Sequence, residues 1–292
     1  MYDNSLTYRT FTVVNSAVLG FLGLLSLLPI VHTLAISFSS RAPAEAHLVG
    51  LLPVGFTVDA YVETFKNELF ARAFALGVLR TIVGTAVSLA VIIPLAYALS
   101  KDNQSFKGRN IYAWFFLFAM LFTGGLIPTY VIVVNLKLIN TIWALVLPVA
   151  VNVWNAILLM NFFRTSIPKA LEEAALIDGA NHFTILLKVY LPLSTPAIAT
   201  IALFTMVTHW NSWFDGLIYM TDPSNYPLAT FLQKLLVQQD LRFLRRPEDV
   251  ANLTNRTVKA AQIFIAMIPV LLVYPYLQKY FVKGIVLGAV KE

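Results

Sequence analysis

Six apolar runs, each long enough to cross a lipid bilayer, constrain this chain more than any other feature. They lie at about 11–38, 73–99, 111–134, 141–163, 193–220 and 258–281. A helix of about 20 mostly apolar residues matches the thickness of the hydrocarbon core. In lipid, every backbone polar group must find a partner within the protein, and runs of this length do so as helices. The fold class is therefore all-α, a polytopic integral membrane protein with six transmembrane helices. No second folded domain is expected, so 1–292 reads as a single transmembrane domain. Composition agrees: 58% of residues are hydrophobic and 12% charged. A soluble domain carries about 45–50% and about 25%. So little charge cannot cover a soluble surface, which excludes an ordinary soluble enzyme, a disordered chain and a coiled coil.

Lysine and arginine outnumber aspartate and glutamate, 21 to 15. In a membrane protein such an excess marks cytoplasmic flanks rather than nucleic-acid binding. With both termini on one side, the basic residues divide evenly between the two faces. Half of the outer ones fall in the long 221–257 loop, and the charge rule acts most strongly on short connections. The count leans towards cytoplasmic termini. Ala44-Glu45-Ala46 has the look of a signal-cleavage site. The apolar run before it far exceeds the roughly 7–15 residues of a signal core, so a retained helix is expected.

The chain has no cysteine, which removes disulfides, thiolate catalysis and iron–sulfur clusters. His32, His47, His182 and His209 lack metal-ligand spacing. No G-x-x-x-x-G-K-[ST] phosphate loop or G-x-S-x-G elbow occurs. The chain is expected to bind no cofactor and to catalyse no reaction.

The connection at 164–192 is the most informative stretch. It reads as a short helix, a break and a second short helix. Pro168 suits a first helical turn, where its missing N–H costs nothing. Glu172 and Glu173 lie near that positive helix end. Ala174 and Ala175 are small, strong helix formers. Gly179 can adopt the left-handed conformation that ends a helix. Asn181 can cap the next helix, and Pro192 interrupts the chain before the fifth run. A pair this short cannot span a bilayer. From composition alone it is either an interfacial loop or a surface that another protein approaches closely.

The spacing Glu173-Ala174-Ala175, three residues, Gly179, nine residues, Val189-x-Leu191-Pro192 resembles the EAA motif of ABC importer permeases. Val189 stands where that family usually has isoleucine. The resemblance extends through Gly124-Gly125-Leu126-Ile127-Pro128-Thr129-Tyr130 and the tail Tyr274 to Lys291. The chain is similar to the carbohydrate-uptake, maltose-permease-like group, and within it to the smaller permease of oligosaccharide and polysaccharide (alginate-type) importers. The resemblance implies a bacterial cytoplasmic-membrane permease forming half of a sugar pathway, without its own ATPase site. Its partners would be a second, non-identical permease, a cytoplasmic ATPase dimer carrying ATP-Mg, and an extracytoplasmic solute-binding protein. The coupling residues would be Glu172, Glu173, Ala174, Ala175, Asp178, Gly179, Val189, Leu191 and Pro192. The motif loop would be cytoplasmic, and both termini with it. The tail 283–292 would also reach towards the ATPase pair. Uronic-acid polymers are the substrates this subgroup suggests.

Polar residues within spans are costly and mark function by default. Run five carries His209, Trp210, Asn211, Ser212, Trp213 and Asp215, and run four Asn152, Trp154 and Asn155. Aromatic faces stack on sugar rings, and Asn, His and Asp hydrogen-bond hydroxyls. These are candidate substrate-path residues, set against interfacial anchoring and helix–helix bonding. Arg80 lies about two turns into run two, where snorkelling to the outer face is the simplest account and lining a path for an anionic substrate the alternative. In run three, Gly124-Gly125 and Pro128 either loosen the helix, as is tolerated beside protein or a water-filled cavity, or allow close helix packing. Arg245 and Arg246 are candidate docking residues for a binding protein. The alternative to an importer subunit is a stand-alone six-helix secondary transporter or channel. Such a protein would need a relay of buried acids, and only Asp215 is available. An integral-membrane enzyme would need a convergent catalytic group, and none is visible.

Overall fold

The computed structural model describes residues 6–237 and 255–289, with side chains placed for 8–235 and 255–275. Among the described residues the structure is helical, apart from one isolated antiparallel bridge between Ser39 and Phe56. The elements are α1 (Leu6–Ser37), α2 (Arg41–Glu45), α3 (Asp59–Lys66), α4 (Glu68–Ser100), α5 (Arg109–Leu121) and α6 (Leu126–Asn135). They continue with α7 (Ile142–Val146), α8 (Val153–Ser166), α9 (Lys169–Ile177), α10 (His182–Ile185) and α11 (Leu191–Leu193). The last are α12 (Thr195–Asn211), α13 (Phe214–Tyr219), α14 (Leu228–Leu232) and α15 (Arg256–Ala289).

Three stretches are long and apolar enough to cross a membrane unaided: Tyr8–Ser37 in α1, Glu68–Ser100, and Arg256–Pro275 in α15. Three further crossings are possible if each bent helix pair is one span. Runs three, four and five therefore differ from the straight helices that hydropathy suggests. Between α5 and α6 the axis turns by 111°. The break falls at the glycine pair, and Gly125 has φ +83°, a conformation open to glycine without strain. Run four bends by 52° between Ile142–Val149 and α8. Here Asn152 caps α8, its Oδ1 accepting the Asn155 N–H at 3.1 Å. Run five is interrupted at Ser212 and Trp213, between α12 and α13. Upstream, His182–Leu193 meets α12 at 85°.

By internal contacts the chain divides into two compact units, residues 1–71 with 234–268 and residues 72–233 with 269–292. In the first, Ala35, Ile36, Ala44, Val49 and Ala260 form one small core. Ala60, Val258 and Ala261 form another. Over its apolar window α1 is only 11% buried, against 39% for α4, so most of its apolar surface is left for lipid or another chain. In the second unit, a larger core joins α4, α8, the turns after α10, and α12 through Ile92, Ala96, Leu159, Phe163, Ile185 and Ile201. Lipid tails are as apolar as these side chains, so association relies on close packing rather than water exclusion. Ala96 and Ala156, both wholly buried, are the small residues such packing requires.

Candidate functional site

The segment 164–192 folds as two short helical pieces, and each boundary has a local cause. Ile167 is buried and anchors the approach. Pro168 occupies the N-cap with extended ψ of 130°, one position earlier than the first-turn placement expected from sequence. α9 then ends in paired bonds from Gly179 N–H to the Leu176 carbonyl (3.0 Å) and from Ala180 N–H to the Ala175 carbonyl (2.9 Å). That pattern is a Schellman cap, which needs a left-handed residue after the C-cap. Asp178 is the C-cap, and Gly179 supplies φ +80°. Asn181 begins the next piece, its Oδ1 accepting the Thr184 N–H at 2.8 Å. A π-helical turn over Leu186–Tyr190 carries α10 into α11.

The two adjacent glutamates part company. Glu172 turns inward and accepts from Lys101 Nζ at 2.6 Å and Tyr190 Oη at 2.6 Å. Lys101 also donates to Tyr190 Oη at 3.0 Å. Its ammonium lies 3.8 Å from the Tyr97 ring centre and 4.3 Å from that of Tyr190. Burial lowers the Lys101 pKa, opposed by its hydrogen bond and charge attraction to Glu172. Tyr97 Oη in turn meets His182 Nδ1 at 3.1 Å. Glu173 and Ala174 instead face outward. So do two large apolar side chains: Ile177 is 86% exposed and Phe183 69%. On the rim, Lys169 pairs with Asp102 at 2.6 Å, and that bond holds the Asp102 carboxyl below its ordinary range. Ala175, Val189 and Leu191 pack against the core, while Pro192 is exposed.

A second cluster forms where run five is interrupted. Arg80 does not snorkel; it is completely buried. Its guanidinium grips Asp215 end-on, Nη1 reaching Oδ1 at 3.1 Å and Nη2 reaching Oδ2. It also donates to the carbonyls of Ser212 (2.9 Å) and Leu145 (3.4 Å). Ser212 Oγ donates to Asp215 Oδ1 at 3.0 Å, and the Gly216 N–H reaches the same oxygen at 2.8 Å. The helix leaves carbonyls unpaired at its break, and Arg80 satisfies one of them. His209 is buried against the backbone of α4, where a Cβ on Gly84 would lie 2.5 Å from the ring.

Of the substrate-path candidates, Asn152, Trp154 and Asn211 are exposed and Trp210 and Trp213 are partly so. Asn155 and His209 are buried, and the Asp215 carboxylate is taken up by Arg80. Arg245 and Arg246 lie outside the described residues, as do the side chains of the tail 283–292. Two buried, paired cations escaped the sequence reading, Lys101 and Arg80 as a partner of Asp215.

A sequence profile of binding-protein-dependent transport system inner membrane components matches residues 69–287. The chain belongs to this family. The permease is 40% identical over 290 residues to Protein LplC of Bacillus subtilis, covering 99% of this chain and 97% of that one. It is 38% identical over 288 residues to the polygalacturonan/rhamnogalacturonan transport system permease protein YtcP of Bacillus subtilis, covering 97% and 99%. Among solved structures, it is similar to a chain of a bacterial ABC transporter involved in the import of the acidic polysaccharide alginate. The TM-score is 0.85 at 36% identity, covering 96% of this permease and all of that chain. The permease is thus a multi-pass inner-membrane subunit of an ABC importer that depends on a solute-binding protein.

Proposed function

We propose that this permease supplies half of a translocation pathway for an acidic oligo- or polysaccharide, and that a separate ATPase pair drives it by docking on residues 164–192. The observation that carries the reading is the outer face of α9 and α10. Glu173, Ile177 and Phe183 project from helices too short to span lipid, while Glu172 and Tyr190 tie those helices to the core. Exposed apolar side chains rimmed by charge suit a protein partner. The outward carboxylate of Glu173 suits a cation on that partner. ATP-Mg is bound by the ATPase and no cofactor by this chain. The second permease is a different but similar chain, both units of this one act as a single domain, and its termini are cytoplasmic.

The substrate class rests on the relatives, which handle polygalacturonan, rhamnogalacturonan and alginate. Asn152, Trp154, Trp210, Asn211 and Trp213 are assigned to sugar contact. Asn155, His209 and Asp215 hold helices together. The test is purification of the complex in mild detergent, followed by reconstitution in proteoliposomes with its binding protein. ATP-dependent uptake of oligogalacturonides or oligo-alginate, ahead of neutral malto-oligosaccharides, is expected. Co-purification with no ATPase, or uptake driven by an ion gradient alone, would return the reading to a stand-alone transporter.

A further inference from the structure

We propose that Lys101 is the positioning residue that makes the cytoplasmic end of α4 and the ATPase-docking helices one mechanical body. The inference rests on the docking assignment of residues 164–192 and asks how a push on that segment reaches the membrane.

The segment is joined to its flanking spans by chain at both ends, and Ile167, Ile185 and Leu186 share an apolar core with Ile92 and Ala96 of α4. Its polar link to α4 adds direction to that packing. Lys101 follows the last turn of α4 and is 8% exposed, as is rare for a lysine. Its ammonium donates to the Glu172 carboxylate and to the Tyr190 hydroxyl, and it lies over the Tyr97 and Tyr190 rings. Glu172 closes a triangle by accepting from Tyr190. Tyr97 extends the network to His182. Thus α4, α9 and the π-helical turn meet at one cation, and Tyr97 ties the start of α10 to the same network.

The energetics favour stiffness. Charge-assisted hydrogen bonds are short and about twice as strong as neutral ones, and a network with every member satisfied resists distortion. The rim pair of Lys169 and Asp102 joins the same elements, but both side chains are more than half exposed, so water screens it. The buried triangle is therefore the link that holds under load. Glu172 and Glu173 divide the work, one gripping the permease and the other facing the ATPase.

The chain has no native cysteine, so paired spin labels can be placed cleanly. Asn103→Cys and Ala170→Cys, both exposed, report the distance between the end of α4 and α9 in the reconstituted importer. The expected result is one narrow distance distribution that is the same in nucleotide-free and ATP-bound complexes. Lys101→Met should broaden it and make the two states differ, while the amount of co-purified ATPase stays at the wild-type level. Uptake per ATP should fall roughly tenfold, the size of effect expected from breaking a coupling element. The uptake probe is labelled trigalacturonate or maltotriose, whichever the wild-type complex imports. Lys101→Arg should restore a narrow distribution and most of the uptake. An unchanged distribution in Lys101→Met, or a wild-type distance that itself changes with ATP, overturns the proposal. Loss of the ATPase from Lys101→Met also overturns it, because Lys101 would then build the docking face rather than transmit from it. Failure of the docking assignment reads out separately, as full ATPase retention by Glu173→Lys.

Discussion

Arg80 and Asp215, 135 positions apart, meet as a two-bonded ion pair that seals the interruption of the fifth apolar run. The arginine is wholly buried and the aspartate side chain is 16% exposed. A guanidinium offers a flat fork matched to a carboxylate, so Arg80 can neutralise Asp215 and still reach the Ser212 carbonyl. The pair neutralises the charge of the acid that most resembled a transport residue in the sequence.

Removing one partner should therefore be worse than removing both. Arg80→Met or Asp215→Leu leaves a buried charge unpaired, a loss of about 3–5 kcal/mol in comparable pairs. The double variant should recover much of this. Denaturation of the purified permease in detergent, run as a double-mutant cycle, measures the coupling. Additive losses would mean that the pair contributes through packing alone.

The approach of α4 to α12 at Gly84 yields a second cycle. An alanine methyl there would overlap the His209 ring. Gly84→Ala should cost about 1–3 kcal/mol through overpacking. His209→Ala in the same chain should relieve part of that cost, and the same denaturation assay reads it. No relief would show that the backbone, not the imidazole, sets the helix separation.

Gly179 separates space from backbone conformation. Nothing lies within 4 Å of its would-be Cβ, yet its φ is +80°. Substitution cost should therefore follow left-handed propensity rather than size. Gly179→Asn should retain most uptake per ATP, Gly179→Ala less, and Gly179→Val least, since a left-handed residue other than glycine costs roughly 1–2 kcal/mol and a β-branched one more. Equal activity across the series in proteoliposomes would contradict the cap as a functional element.

Residues close in sequence were legible because their causes are local. Pro168, Gly179 and Asn181 lie at the helix boundaries of the 164–192 segment. The bend in run three falls at its glycine pair. The interruption at Ser212 and Trp213 carries no glycine or proline and stayed hidden inside an apolar run. Lys101 and Glu172 are 71 positions apart, and each alone reads as a solvated charge. Arg80 looked able to snorkel because hydropathy records depth and not direction. Only the packed bundle shows that it faces Asp215. Likewise, sequence treats Glu172 and Glu173 alike, and the rotation of about 100° per helical residue sends one inward and the other out.

Charge reversal at Arg245 and Arg246 tests docking of the solute-binding protein. If the 221–257 loop meets the solute-binding protein, Arg245→Glu with Arg246→Glu should reduce stimulation of ATP hydrolysis by that protein. The loss should be larger at low ionic strength, where charges act over longer distances. Stimulation unchanged across a salt series would remove this loop from the docking surface.

The central claim, that the ATPase docks on the outward face of α9, is tested most directly by Glu173→Lys. The measurement is the amount of ATPase subunit that stays with the purified permease complex in mild detergent. The account predicts a clear loss relative to wild type, because a cation would replace the outward carboxylate while Glu172 still holds α9 in place. Full retention of the ATPase by Glu173→Lys, at low and at physiological salt, would contradict it.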